Sequence, residues 1–186
     1  MASEPYLQKF TYGDYVRLPV DGRRHEVIDG EHLVAPAPTP WHQFIASNFH
    51  RILARFVHER KLGRVCTAPL DVVLSDFDVV QPDLLYISQE RLDLVTETNL
   101  QGAPDLVIEI LSNSTRRVDE TAKLDLYDRF GVEEYWMADR LGQAVRVYRR
   151  SPAGLRLIAE LSARRGDVLT TPLLPGLSIP LEDLFV

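Results

Sequence analysis

A single cysteine in 186 residues leaves no partner for an internal disulfide. Cys66 falls in the apolar run Val65-Cys66-Thr67-Ala68 with no histidine beside it in sequence to activate it, so a small buried side chain is expected, not a nucleophile. No apolar stretch approaches the roughly 20 residues of a membrane span. The segment from Met1 to Tyr15 lacks a basic stretch followed by an apolar one, which predicts a cytoplasmic protein with no membrane partner. His25, His32, His42, His50 and His58 form no pair at zinc-ligand spacing together with cysteine. Gly-rich phosphate loops and Gly-x-Ser-x-Gly are absent, so nucleoside triphosphate binding and serine-esterase chemistry have no sequence support. Repeats, low-complexity tracts and long linkers are also missing, so residues 1–186 are expected to form one domain.

What is present is an ordinary globular composition, 45% hydrophobic and 26% charged, enough to bury a real core. Thr11 is a plausible N-cap for a short helix to Leu18. The run from His25 to Val34 reads as a hairpin, because Asp29-Gly30 between two apolar-containing stretches is a strong turn signal. Pro36, Pro38 and Pro40 end it. From Trp41 to Leu62, Phe44, Ile45, Phe49, Ile52, Leu53, Phe56 and Val57 recur at helical spacing, and Gly63 stops the helix. Val65 to Leu74 then reads as a strand that turns at Ser75-Asp76-Phe77-Asp78 into a second strand, Val79 to Ile87. A polar loop, Thr96 to Gln101, precedes a strand from Leu106 to Leu111, and Ser112-Asn113-Ser114-Thr115 offers N-caps for a helix from about Arg116 to Phe130, closed by Gly131. Glu133 to Asp139 is another strand. A hairpin of Ala144–Arg150 and Gly154–Leu161 follows, and Leu177 to Leu184 finishes the chain. This order predicts an α/β fold with a mixed sheet flanked by helices and additional β-hairpins.

Two acids interrupt the apolar strand runs. Asp83 lies in Val79-Val80-Gln81-Pro82-Asp83-Leu84-Leu85-Tyr86-Ile87, and Glu109 in Leu106-Val107-Ile108-Glu109-Ile110-Leu111. A carboxylate there costs free energy unless a cation or hydrogen bond compensates it. Carboxylates converging from neighbouring strands can hold Mg²⁺, or Mn²⁺, for phosphodiester hydrolysis, and the Ile110 carbonyl could add a ligand. On the helix from Arg116, Val118, Ala122, Leu126 and Phe130 form the apolar stripe and Lys123 lies at its edge, where an ammonium could reach the acids and a phosphate oxygen. The plainer alternatives stay open: Asp119 and Lys123 as a helical ion pair, Asp83 as a turn residue, Glu109 on an edge strand. Arg116 and Arg117 open the same helix and are candidate phosphate contacts. Arg146, Arg149, Arg150, Arg164 and Arg165 could form a basic strip near a cleft, although surface positions are the simpler expectation. Tyr135 and Trp136 are expected in the core or an interface, not as a base-stacking platform. The net charge of −6 argues against a protein that coats nucleic acid through a basic surface, but not against a metal site that concentrates acids.

The ordered set Pro82-Asp83, Pro104-Asp105-Leu106-Val107-Ile108-Glu109-Ile110-Leu111-Ser112, Asn113-Ser114-Thr115-Arg116-Arg117, Lys123, Tyr127, Gly131-Val132 and Glu134-Tyr135-Trp136 closely resembles the Uma-two family of endonucleases. That family lies in the PD-(D/E)xK restriction-endonuclease-like superfamily. Glu26-Val27-Ile28-Asp29-Gly30-Glu31, the proline-rich turn and the Trp41-His42-Gln43 helix start extend the likeness to the amino-terminal half. The resemblance implies a restriction-endonuclease-like core and a magnesium-dependent endonuclease acting on DNA as a homodimer. It implies Asp83 and Glu109 as metal ligands and Glu26 as an additional acidic site residue. The superfamily's lysine two residues after the second acid is Leu111 here, so Lys123 on the next helix would have to supply the ammonium from a different backbone position. Two other functions remain open: a non-catalytic protein of the same fold that binds nucleic acid or a partner, and a metal-dependent hydrolase of another phosphate ester.

Overall fold

A computed structural model describes residues 9–185. Two sheets carry the site. The larger has six strands in the order β11-β10-β9-β8-β6-β3, comprising β3 (Gly63–Thr67), β6 (Leu84–Ser88), β8 (Leu106–Leu111), β9 (Glu134–Asp139), β10 (Ala144–Ser151) and β11 (Gly154–Ser162). Its neighbours are antiparallel except β8 and β9, which run parallel with Glu109 opposite Met137. The smaller is β2-β1-β5-β4-β7, from β1 (Arg24–Ile28), β2 (Glu31–Ala35), β4 (Val72–Ser75), β5 (Asp78–Val80) and β7 (Leu100–Gln101), with only β4 and β7 parallel. A third pair joins β12 (Val168–Leu169) to β13 (Ile179–Pro180).

The helices are α1 (Tyr12–Tyr15), α2 (Pro40–Arg60), α3 (Arg116–Glu120) and α4 (Ala122–Arg129). Alternation along β8 decides what each face of the larger sheet meets. Leu106, Ile108 and Ile110 pack with Ile45, Phe49, Leu53 and Val57 of α2 and with the carboxy-terminal Leu177, Ile179, Leu181 and Leu184. Val107 and Leu111 point the other way, into a cluster with Leu126 and Tyr127 of α4 and Ile28, Val72 and Val80 of the smaller sheet. Glu109 shares that second face, so its carboxylate is aimed into the space between the two sheets and α4. Trp136 packs against Phe49 and Tyr135 against Tyr127, both rings fully buried in the core.

Several elements are shorter than the sequence suggests, for physical reasons. The helix expected from Thr11 to Leu18 is one turn, capped as foreseen by Thr11, whose side chain accepts from the Asp14 amide in a capping box. The strand expected over Val65–Leu74 is divided between the two sheets, with Pro69, which has no N–H for a ladder, in the connection. Pro82 likewise divides Val79–Ile87, leaving β5 in one sheet and β6 in the other. The helix expected over Arg116–Phe130 breaks at Thr121 (φ −126°, ψ −84°), whose hydroxyl donates to the Arg117 carbonyl at 2.6 Å. The polar loop Thr96–Gln101 ends in the short strand β7.

Candidate active site

Each acid arrives by a local rule. Asp83 ends the Gln81-Pro82-Asp83 crossing between the sheets and immediately precedes β6. Arg24 and Glu26 are two apart on β1 and therefore share a face. Asp119 is the fourth residue of α3, and Lys123 sits in the first turn of α4 across the Thr121 break. Together with Glu109 these groups line a cavity of about 330 Å³, to which Ile110, Arg116 and Arg140 also contribute. The five charged groups Glu26, Asp83, Glu109, Asp119 and Lys123 are all buried, at 2–5% exposure, so their pairing is energetically decisive.

Lys123 Nζ is the hub. It lies 2.9 Å from Glu109 Oε1, 3.0 Å from Glu26 Oε1 and 3.6 Å from Asp119 Oδ1. Glu109 Oε1 also accepts from the Tyr127 hydroxyl at 3.0 Å, and Glu26 Oε1 from the Gln81 amide at 2.7 Å. Asp83 is held separately. Its Oδ1 accepts from Arg24 Nη1 at 2.7 Å, and its Oδ2 accepts from the Ile110 amide at 2.8 Å and pairs with His42 Nε2 at 2.9 Å.

The electrostatics follow from burial and partners. Burial alone would raise Asp83, but His42, Arg24 and the Ile110 amide together hold its carboxyl well below the usual range. Glu109 goes the other way: burial, with Asp83, Asp119 and Glu26 nearby, outweighs Lys123 and pushes it up to about 8. Burial raises Asp119 too, with Asp83 and Glu26 adding to the shift against Lys123. Lys123 remains charged, since Glu109, Glu26 and Asp119 overcome the opposing effect of burial and raise it further. One ammonium among three carboxylates leaves surplus negative charge, so the deeply buried Glu109 gives up its proton less readily than an ordinary carboxyl.

The donor chemistry fits a hard divalent cation, since Asp83, Glu109, Asp119 and the Ile110 carbonyl are all oxygen donors. Asp119 Oδ1 is buried without a hydrogen-bond partner, which also suits it as a ligand to a divalent cation. Among the described residues, however, no three His, Cys, Asp or Glu side chains stand together at metal-ligand spacing. Three donors already engage the two oxygens of Asp83. The set fits a metal provided that Arg24 yields its place on Asp83.

The four residues singled out in sequence, Glu26, Asp83, Glu109 and Lys123, thus line one cavity, with Ile110 beside them. Arg116 lines it too, but is paired with Asp139 at 2.9 Å and Glu120 at 3.2 Å; Arg117 is exposed and outside it. Arg146, Arg149, Arg150 and Arg165 are paired with Glu120, Glu134, Asp128 and Asp167, and neither they nor Arg164 line this cavity. Sequence reasoning missed Arg24, His42, Asp119 and Tyr127 as site residues. Arg24 had a usable signal, its i−2 spacing from Glu26 on a strand. Asp119 was visible as the partner of Lys123 but not as a buried member of the site.

Acids delivered by two sheets and a following helix, with a lysine among them, place the chain in the restriction-endonuclease-like class of α/β folds. The chain belongs to the Uma2 family, described as "Putative restriction endonuclease", which matches residues 12–182. A solved structure from Anabaena variabilis, described as a "putative nuclease", is similar over 95% of this chain and 97% of its own, with a TM-score of 0.80 and 22% identity. That likeness concerns the fold. No curated protein matches this chain.

Proposed function

We propose that the protein is a magnesium-dependent endonuclease that hydrolyses phosphodiester bonds in DNA. The observation that carries this reading is the convergence of Glu26, Glu109 and Asp119 on Lys123, with Asp83 lining the same cavity. Asp83 and Glu109 would hold the ion, with the Ile110 carbonyl and Asp119 as further oxygen donors, and Mn²⁺ could replace Mg²⁺. Bound there, the ion would neutralise phosphate charge and lower the pKa of a water. Glu26 keeps Lys123 in position, and the Lys123 ammonium orients the attacking water or stabilises charge on the phosphate. Arg24, released from Asp83, has a planar fork suited to a non-bridging phosphate oxygen. Arg116 lies at the cavity wall for a neighbouring phosphate, with Arg117 beside it outside the cavity. Asp83→Asn should abolish Mg²⁺-dependent cleavage of DNA; undiminished cleavage by that variant rejects the assignment.

One observation favours a second reading, a non-catalytic nucleic-acid- or partner-binding protein of the same fold: Asp83 is already saturated by Arg24, His42 and the Ile110 amide. Calorimetric titration with Mn²⁺ separates the two, because heat that disappears in the Asp83→Asn and Glu109→Gln variants belongs only to the nuclease. We also propose a single domain and a cytoplasmic homodimer, the β10–β11 hairpin offering exposed Leu157 and Ile158 for contact. Light scattering should then give twice the 21.2 kDa chain mass, and 21.2 kDa would reject the dimer.

A further inference from the structure

A second cleft, of about 620 Å³, lies on the other side of the Arg24–His42–Asp83 cluster and shares those three residues with the candidate active site. One wall is the exposed edge of α2, with His42, Gln43, Ser47 and His50; the other carries Arg23 and Arg24, and Thr67 to Pro69 contribute. Its polar lining is dominated by donors, and Asp83 is its single acidic residue. In a chain of net charge −6 this is unusual, and the sequence shows how it arises: from His32 to Leu70, Glu59 is the only acidic residue, against Arg51, Arg55, Arg60, Lys61 and Arg64.

A separate observation marks the same cleft as incomplete. Four buried side-chain atoms among the described residues have no hydrogen-bond partner, and two of them, Arg24 Nε and His42 Nδ1, belong to the wall that this cleft shares with the candidate active site. Native proteins satisfy nearly all such atoms, so this wall is one whose side chains can turn to take a further polar partner. Arg, Gln and Ser side chains are among those that contact the sugar-phosphate backbone.

We propose that this cleft is the track for the backbone of a nucleic-acid strand on one side of the bond to be cut, with the strand passing the Arg24–His42–Asp83 wall to reach the carboxylates. The proposal rests on the nuclease reading for the role of the site, but binding to the track needs no metal and no hydrolysis. It follows that binding is sequence-independent, driven by phosphate contacts, and steeply weakened by salt.

The test is fluorescence anisotropy of the full chain with a labelled oligonucleotide, single-stranded and duplex, in EDTA at several salt concentrations. Arg23→Glu and Ser47→Glu place negative charge on opposite walls at exposed positions, where folding should survive; thermal melting checks that it does. Arg164→Glu, exposed and lining neither cleft, repeats the charge change of Arg23→Glu elsewhere. Each cleft variant should weaken binding by about tenfold or more, and Arg23→Glu should reduce the salt slope by about 1 relative to Arg164→Glu. Cleft variants that bind both probes as Arg164→Glu does, or a wild type that binds neither, overturn the proposal. Wild-type binding that depends on the cleft but is never followed by cleavage when Mg²⁺ or Mn²⁺ is added would sink the hydrolytic reading and leave the track standing.

Discussion

Arg24 and Glu109 hold the two most consequential balances at the scale of single residues. Arg24 Nη1 sits 2.7 Å from Asp83 Oδ1, in the electrostatic place a metal would need. Two unit charges about 4 Å apart at an effective dielectric near 20 interact by about 4 kcal/mol, and about 1.4 kcal/mol already changes an affinity tenfold. Arg24→Ala should therefore tighten Mn²⁺ binding by about tenfold or more in calorimetry, even as it weakens hold on a phosphate. Weaker metal binding by the variant would show that Arg24 organises the ligands and does not compete with the ion. Glu109, pushed up to about 8 from an unfolded value near 4.3, binds more protons in the folded chain than in the unfolded one between those limits. Its contribution to stability is complete below about pH 4.3 and is lost as pH rises through about 8. Asp83, held low, acts oppositely and only in acid, its contribution being lost as pH falls below about 3.9. Denaturant titrations of the metal-free chain between pH 5 and 8.5 should show stability falling with pH, and Glu109→Gln should flatten that fall. An equal slope in the variant would place the proton elsewhere.

Elements position these residues through a few backbone requirements, the sharpest at the end of α2. Lys61 caps the helix in the left-handed region (φ 55°), and Gly63 follows at φ +144°, where a Cβ would meet the Ile87 carbonyl oxygen at 2.0 Å. Because that oxygen belongs to the β6 backbone, nothing cheap can move aside. Gly63→Ala should cost about 2–3 kcal/mol and lower Tm by about 5–10 °C in a chain of this length. A melting temperature within a degree of wild type would mean that the β3–β6 edge relaxes freely. Gly63 and the run of α2 were legible in sequence because they are local: a 3.6-residue period and a residue without a Cβ. The acids of the site were legible too, since a carboxylate between Ile108 and Ile110 violates the pattern around it. Illegible were the divisions at Pro69, Pro82 and Thr121, each of which looks like a minor irregularity in one dimension but sends the chain to another sheet or helix. Arg24 and His42 were missed for the same reason. Their partner, Asp83, is 59 and 41 residues away, and only the exchange between sheets brings them to it.

Taken as a whole molecule, the site is also the ionic seam between the two sheets. Lys123 on α4 touches Glu26 from the smaller sheet and Glu109 from the larger at nearly equal distances, 3.0 and 2.9 Å. Breaking a buried ion pair by removing one partner typically costs about 3–5 kcal/mol, because it strands charge in a medium that cannot solvate it. Lys123→Met should reach that cost in urea denaturation of the metal-free chain, since three carboxylates would be left without their cation. The same substitution in a Glu26→Gln, Glu109→Gln background should cost less than about 2 kcal/mol, the difference being the coupling across the seam. If Lys123→Met alone does not fold, recovery of a cooperative transition in the triple variant reports the same coupling. Additive losses would mean that Lys123 is solvated independently of the acids, and the two sheets would then be joined by their apolar contacts alone.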